Sequence, residues 1–195
     1  MVLIDIVRHG ECADSAFLRG RCDSPLTALG EQQMRQALSD VVPADLVFSA
    51  PAQRNLHFAR AHYPDVQVLE AFAERDFGDW DGLSFQAVQQ TDAERLELYL
   101  QNPFADVIPN SESLVDFEKR IAAGWLYLCG LPVESILLFS HSGVQRVLLK
   151  KILGFPNKSL FNLKIGYAAR IRLDVQKTSQ GYFTQLVEIA QVKLS

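Results

Sequence analysis

A chain of 195 residues is close to the usual size of one domain, and 48% hydrophobic with 22% charged residues is typical of a globular protein with one sizeable core. A net charge of −4 argues against nucleic acid or an anionic membrane as the main partner. The three cysteines have no paired spacing, which gives a disulfide framework or a zinc site little support and favours reduced thiols in the cytoplasm.

The N-terminal residues reach the charged Asp5 without the basic start or small-residue cleavage site of a signal peptide. No apolar run approaches the ~18 residues that a membrane span needs. No linker, repeat or charge block divides the sequence. We therefore expect residues 1–195 to form a single cytoplasmic domain.

Buried-strand patterns alternate with helical patterns along most of the chain. The predicted strands cover residues 2–7, 45–49, 66–69, 135–140, about 167–175 and about 182–190. The predicted helices cover about 28–39, with Thr27 as N-cap, and about 53–62, 84–100, 113–129 and 142–153. Residues 71–83 read as a loop. This alternation predicts an α/β three-layer sandwich, with a mainly parallel central sheet flanked by helices.

Four polar motifs follow predicted strands, at the end where such sheets bind ligands. They are Arg-His-Gly-Glu, Ser-Ala-Pro-Ala-Gln-Arg, Glu-Arg-Asp-Phe-Gly-Asp-Trp-Asp-Gly and Ser-His-Ser-Gly, at residues 8–11, 49–54, 74–82 and 140–143. His9 and His141 each come directly after a buried strand, so parallel strand packing can bring them together. Core packing alone does not explain two histidines, two arginines and a glutamate at successive strand ends.

Phosphoryl transfer would give these side chains a common purpose. A phosphate monoester is a dianion near neutral pH, and guanidinium groups bind its oxygens in pairs, a role that suits Arg8 and Arg54. The imidazole of His141 can donate to an equatorial oxygen, where charge must be stabilised. A local basic site of this kind would attract an anionic substrate to an acidic protein.

The reacting groups can be assigned from the same motifs. The neutral imidazole of His9 can attack phosphorus and hold the phosphoryl group covalently. Gly10 lets the chain approach the phosphate closely, and Glu74 can give the leaving alkoxide its proton. The sequence has no phosphate-cradling Gly-x-x-x-x-Gly-Lys loop and no His-Glu-x-x-His motif. We therefore predict a phosphomonoesterase that uses no metal and no cofactor.

These motifs resemble those of the histidine phosphatase superfamily, also called the phosphoglycerate mutase-like family. The family patterns are Arg-His-Gly-Glu, Ser-x-Pro-x-x-Arg, Glu-x-x-(Phe/Tyr)-Gly-x-x-(Glu/Asp)-Gly, Pro-x-Gly-Glu-Ser and Ser-His-x-Gly, matched here at residues 8–11, 49–54, 74–82, 109–113 and 140–143. The resemblance covers about residues 2–175, in the correct order. It implies a phosphoglycerate mutase-like fold.

The resemblance also implies roles for individual residues. His9 would be the phosphorylated nucleophile, Glu74 the proton donor, and Arg8, Arg54 and His141 the phosphate pocket. The contacts with substrate would come from the Gly10 and Ser142 backbone, from the position of Ser15, where many members place an asparagine, and from Arg19 and Arg21 at the pocket mouth. Ser111 replaces the usual glycine of the fourth pattern, without removing a reacting group.

The motifs are compatible with several functions. The short chain looks most like the α-ribazole-5′-phosphate phosphatases of cobalamin assembly, which would make a small phosphorylated metabolite its partner and leave no role for nucleic acid or membrane. The alternatives are a broad-specificity sugar or nucleotide phosphatase, a phosphoglycerate mutase, and a catalytically inactive binding protein. The oligomeric state is not predicted.

Overall fold

The computed structural model describes residues 1–13, 17–102 and 106–192, and its six strands form one mixed sheet in the order β3-β2-β4-β1-β5-β6. Strands β1 to β4 are parallel to one another, whereas β5 is antiparallel to both β1 and β6. The strands are Val2–Arg8, Leu46–Ser49, Val66–Val68, Ser135–Ser140, Arg170–Thr178 and Gly181–Ala190.

Helices cover both faces of this sheet. The helices α1 to α6 are Ala28–Ala37, Gln53–His62, Phe85–Thr91, Ala93–Gln101, Leu114–Cys129 and Ser142–Leu153. Ile6 and Leu138 face a core shared with α5 and α6, while Val7 and Phe139 face a second core shared with α1 and α2. Neighbouring strand residues thus point to opposite faces, as a strand buried on both sides requires. The predicted three-layer α/β sandwich is confirmed.

Several predicted elements differ in their bounds. The helix predicted over 84–100 is two helices, because Asp92 has a non-helical backbone and its carboxylate accepts from the Trp80 indole N–H and the Arg95 guanidinium. The predicted loop at 71–83 contains 3-10 turns at Glu70–Phe72 and Gly78–Trp80. The first helix ends at Ala37, two residues early, although Thr27 caps its start as predicted, accepting from the Gly30 N–H.

The fifth strand begins at Arg170 rather than at 167, because the residues before it fold over the end of β1. Arg8 donates to the Ile165 carbonyl oxygen, and the Ala168 N–H donates to the His9 carbonyl oxygen. These bonds use the backbone that a longer strand would need for pairing. The segment therefore closes one side of the region beyond β1 and β4.

Candidate active site

The two histidines that the sequence places far apart meet at the end of β1 and β4. These strands pair in parallel, with Arg8 opposite Ser140, and the His9 N–H donates to the Ser140 carbonyl oxygen at 3.1 Å. The rings of His9 and His141 lie 5.4 Å apart between centroids, at 65° to each other. The predicted meeting of the two imidazoles is thus confirmed.

His9 is buried and held in one orientation. Its Nδ1 lies 2.8 Å from the Gly10 carbonyl oxygen and 3.4 Å from the Cys12 sulfur. A carbonyl oxygen can only accept, so the neutral ring carries its proton on Nδ1 and keeps the lone pair on Nε2. Burial, and then the charges of Arg8 and Arg54, hold the pKa of His9 well below its usual value. The ring is therefore a neutral imidazole with Nε2 available as a nucleophile.

His141 is fully buried and lies against the residues that begin α2. Its Nδ1 is 3.4 Å from Arg54 Nη2, and its Nε2 is 3.1 Å from the amide nitrogen of Asn55. Burial is the main cause that lowers the pKa of His141 well below its usual value, with Arg54 and His9 adding to it. A neutral ring can still donate one N–H to an anion. Asn55 was not predicted as a site residue.

Arg8 is held on two sides by the segment that precedes β5. Its guanidinium lies 4.3 Å from the centre of the Tyr167 ring, and its Nη1 donates to the Ile165 carbonyl oxygen at 2.7 Å. Its Nε is buried and has no hydrogen-bond partner among the described residues. Tyr167 also approaches His9, with 6.0 Å between ring centroids. Tyr167 was not predicted as a site residue.

Arg54 is fully buried, and most of its donors are already engaged. Nη1 donates to Cys22 O and to the Asp23 carboxylate, and Nη2 donates to the carbonyl oxygens of Arg19 and Gly20. In this arrangement Nε is the nitrogen without a partner in the described parts of the chain. The bidentate contact of Arg54 with phosphate stays a prediction; the geometry leaves the Nε N–H unengaged and places a buried positive charge beside His141.

Asp81 holds the same segment from the opposite side. Its carboxylate accepts from the backbone N–H groups of Gly20, Arg21 and Cys22, at 3.1, 2.6 and 2.9 Å. The peptide groups of residues 19–22 thus direct N–H groups toward Asp81 and carbonyl oxygens toward Arg54. This alignment of dipoles fixes the buried guanidinium beside His141.

Glu74 lies on the wall of a cavity of about 490 Å³, which we call the aromatic cavity and which also has Arg8, His9 and Ser142 on its wall. The Gly143 N–H donates to the Glu74 carboxylate at 3.0 Å. A Cβ at position 143 would overlap with that carboxylate, which explains the last glycine of the Ser-His-Ser-Gly motif. Glu74 and His9 therefore face the same space.

Arg120 on α5 fixes the backbone that carries Glu74. It donates to the carbonyl oxygens of Ala71, Ala73 and Glu74 at 2.8 to 3.0 Å, and it binds the Glu112 carboxylate through two nitrogens. Three carbonyl oxygens of the loop that carries Glu74 are satisfied in this way. Arg120 was missed because nothing in its helical sequence context marks it. Its partner Glu112 lies within the Pro-Asn-Ser-Glu-Ser motif at residues 109–113.

The other residues predicted to contact substrate lie in different surroundings. Arg19 lies on the wall of the aromatic cavity, as does Ser142 at the start of α6. Arg21 does not: its side chain is 82% exposed and pairs with Asp76. The absence of a side chain at Gly10 is explained by packing, since a Cβ there would overlap with the Gly30 carbonyl of α1. Ser15 lies outside the described residues.

Within residues 1–13, 17–102 and 106–192, no three His, Cys, Asp or Glu side chains are grouped so that they could hold a metal ion. No helix in the same ranges is long and apolar enough to cross a bilayer. The prediction of catalysis without metal stays a prediction.

The free energy of unfolding should decrease as the pH falls below about 6.5. The folded-state pKa values of His9 and His141 are depressed, so below that pH the unfolded chain binds more protons than the folded one. The contribution of each ring to the free energy of unfolding is complete above the unfolded-state pKa. It is lost as the pH falls from there to the folded-state pKa, at up to about 1.4 kcal/mol per pH unit for each ring. Urea unfolding between about pH 7 and pH 5.5 measures this. The variant His9→Asn should show a shallower dependence, and a pH-independent wild type would contradict the assignment.

Comparison with known proteins agrees with this geometry. The family model of the histidine phosphatase superfamily (branch 1) matches residues 4–185. The adenosylcobalamin/alpha-ribazole phosphatase of Escherichia coli K12 is 28% identical over 182 residues, covering 88% of this chain and 89% of the relative. A relative from Proteus mirabilis named "Probable phosphoglycerate mutase GpmB" is 30% identical over 188 residues, covering 91% and 87%.

A solved structure shows the same architecture. The alpha-ribazole phosphatase from Shigella flexneri superposes with a TM-score of 0.80 at 25% identity, covering 95% of each chain. Its fold is the phosphoglycerate mutase-like one that the motifs imply, with a six-stranded mixed sheet in this chain. The match of the family model extends over all four strand-end motifs. The chain therefore belongs to the histidine phosphatase superfamily, branch 1, and its enzyme class is that of a phosphatase acting on small phosphorylated substrates.

Proposed function

We propose that this protein hydrolyses a small phosphate monoester through a phosphohistidine intermediate on His9. The observation that carries the proposal is the oriented, neutral imidazole of His9, whose Nδ1 is bound to Gly10 O while Glu74 faces the same cavity. A fixed nucleophile and a fixed acid on one cavity are what a two-step displacement at phosphorus needs.

In the first step, the phosphate dianion is bound beside Arg8, Arg54 and His141. His9 Nε2 attacks phosphorus as the bond from phosphorus to the leaving oxygen breaks, and Glu74 gives that oxygen its proton. His9 is then a phosphoimidazole with its proton retained on Nδ1. The Gly10 carbonyl oxygen supports the positive charge that develops on the ring during attack.

In the second step, water attacks the phosphoryl group in line with His9 Nε2. The Glu74 carboxylate, left deprotonated by the first step, takes a proton from that water as the bond from nitrogen to phosphorus breaks. Inorganic phosphate leaves, and both His9 and Glu74 return to their starting states. Arg120 keeps Glu74 in place for both proton transfers by binding its loop carbonyls.

The leading substrate is α-ribazole 5′-phosphate. Two relatives named for this substrate class support it: the E. coli enzyme at 28% identity and the S. flexneri structure at 25%. His9 is buried on the wall of the aromatic cavity with His141 beside it, and such a buried nucleophile suits a terminal monoester better than a diester. A net charge of −4 also disfavours polymeric nucleic acid.

A substrate panel tests both the reaction and the substrate. With no bisphosphate cofactor, and in EDTA, the enzyme should release phosphate from α-ribazole 5′-phosphate. Its kcat/KM should exceed those for ribose 5-phosphate and the phosphoglycerates by at least about tenfold, or about 1.4 kcal/mol of transition-state binding. Equal values would indicate a broad-specificity phosphatase, and a strict need for a bisphosphate would indicate a mutase. A loss in EDTA restored by Mg²⁺ would contradict metal-free catalysis.

Two proposals concern the protein as a whole. One sheet with a core on each face supports a single domain over residues 1–195. The three thiols Cys12, Cys22 and Cys129 are all unpaired, which supports a reducing, cytoplasmic location.

A further inference from the structure

The aromatic cavity presents aromatic rings to solvent directly beside the reacting groups. Phe17, Phe85 and Phe161 are 39%, 46% and 40% exposed, and all three lie on the wall that also carries His9 and Glu74. Exposed apolar side chains that share one concave surface are characteristic of ligand sites. Nothing in the two-step chemistry requires these rings.

The rings are held in place by the backbone around them. Phe17 forms an isolated antiparallel bridge with Ser84, the N-cap of α3, and the Leu18 N–H donates to the Leu83 carbonyl oxygen. This pairing fixes Phe17 and Phe85 on one rim of the cavity. The rim is therefore built into the fold, since two separate segments of the chain are joined to make it.

The facing wall is equally well supported. Phe161 packs edge-on against Tyr99, with 5.6 Å between ring centroids, and Tyr99 packs in the same way against the buried Trp80 at 5.8 Å. Trp80 and Tyr99 belong to a separate small core under α3 and α4. Burial raises the pKa of Tyr99 to about 12, so its hydroxyl stays neutral. The wall is a preorganised aromatic surface.

The charged groups of the cavity wall are only partly engaged, since Arg8 Nε and Arg75 Nη1 are buried without a hydrogen-bond partner in the described parts of the chain. Arg75 donates to the Glu112 carbonyl oxygen and to the Asp106 carboxylate. Arg146, on α6, is fixed by the bond from its Nε to the Leu163 carbonyl oxygen, and its terminal nitrogens can donate to a ring acceptor. A cavity of about 490 Å³ is within the range of sites for ligands much larger than a three-carbon acid.

We propose that the aromatic cavity is a leaving-group subsite for a heteroaromatic ring, so that the preferred substrates are phosphate monoesters of alcohols that carry such a ring. The ring lies between the rim of Phe17 and Phe85 and the wall of Phe161 and Tyr99, with Arg146 donating to a ring acceptor. This inference rests on the proposed function, because His9 and Glu74 fix which end of the substrate reaches the cavity. It extends that function from one named ester to a class.

Adenosine 5′-monophosphate and ribose 5-phosphate make a matched pair for the test. Both break the same kind of ester bond to a ribose 5′-oxygen, and the base is the main difference between them. The wild type should show kcat/KM at least about tenfold higher for the nucleotide, or about 1.4 kcal/mol. Phe85→Ala combined with Phe161→Ala should remove most of this preference while ribose 5-phosphate stays within about twofold. Phe183 is an exposed ring on β6, away from the cavity, and Phe183→Ala should change neither value.

Several results would overturn the subsite. These are equal kcat/KM for the two esters in the wild type, a preference that survives the double variant, and equal loss of both activities in that variant. Phosphoserine hydrolysed faster than the nucleotide would show that the cavity binds a carboxylate instead. Calorimetric binding of the nucleotide to His9→Asn, with and without the two Phe changes, measures the subsite apart from the chemistry. Failure of the phosphohistidine mechanism would leave that binding difference intact.

Discussion

Replacing His9 by alanine should abolish turnover and leave no phosphoryl group on the enzyme. The wild type, quenched within a single turnover, should carry label that is labile in acid and stable in alkali, as a phosphoramidate bond requires. Without the imidazole no covalent intermediate forms, and the loss of kcat should be about 10⁴-fold or more. Rapid-quench labelling and phosphate release measure the two effects.

An exposed histidine of α2 provides a matched control for this variant. His57 is exposed on α2, so His57→Ala should keep both the label and the rate. Because His9 is buried, thermal unfolding should be recorded for His9→Ala to show that the variant is folded. Turnover by His9→Ala near the wild-type rate would end the proposed mechanism.

Changing Glu74 to glutamine should slow phosphoryl transfer to His9 to an extent that depends on the leaving group. An alkoxide needs a proton as it departs, whereas nitrophenolate largely does not. Single-turnover labelling of His9 isolates this step from the later hydrolysis, in which Glu74 also takes part. We expect a loss of about 10² or more with ribose 5-phosphate and much less with nitrophenyl phosphate.

The control for this second variant lies on the same loop. Glu70 is exposed at the start of the 3-10 turn Glu70–Phe72, and Glu70→Gln should leave both labelling rates near those of the wild type. Equal losses for the two substrates in Glu74→Gln would show that Glu74 acts by position or charge. The acid would then have to be sought among other groups of the aromatic cavity.

Loss of the support of Glu74 should show the same dependence on the leaving group. Arg120 binds the backbone at Ala73 and Glu74, so its removal would displace the whole loop rather than one proton. A displaced acid loses its effect mainly with poor leaving groups. Arg120 is therefore a positioning residue for Glu74 in this proposal.

Much of the fold follows from local sequence patterns. The buried run that begins at Val2 and the run Ser135–Ser140 each end at a histidine, and two buried parallel strands must deliver their following residues to one edge. For that reason the meeting of His9 and His141 could be predicted without coordinates. The family motifs add Arg8, Arg54 and Glu74, each of which lies within one of the four motifs.

Element bounds were less predictable where a side chain from elsewhere competes with local propensity. The helical pattern over 84–100 continues through Asp92, and its break becomes visible through the bond from the Trp80 indole to that carboxylate. The start of β5 depends in the same way on the bond from Arg8 to Ile165. The hydrophobic periodicity of a segment cannot predict contacts with Trp80 or Arg8, which lie elsewhere in the sequence.

What the sequence by itself determined is the set of proposed reacting groups and the edge of the sheet at which they gather, since both follow from the motifs and their order along the chain. The tertiary structure decided how each group is held. The terminal nitrogens of Arg54 donate to the segment whose N–H groups bind Asp81. Arg120, on a helix far along the chain, binds the loop that carries Glu74. Hydrogen bonds of this kind form only when the donor–acceptor distance is right to within a few tenths of an ångström. Between elements that are remote in sequence, packing sets that distance.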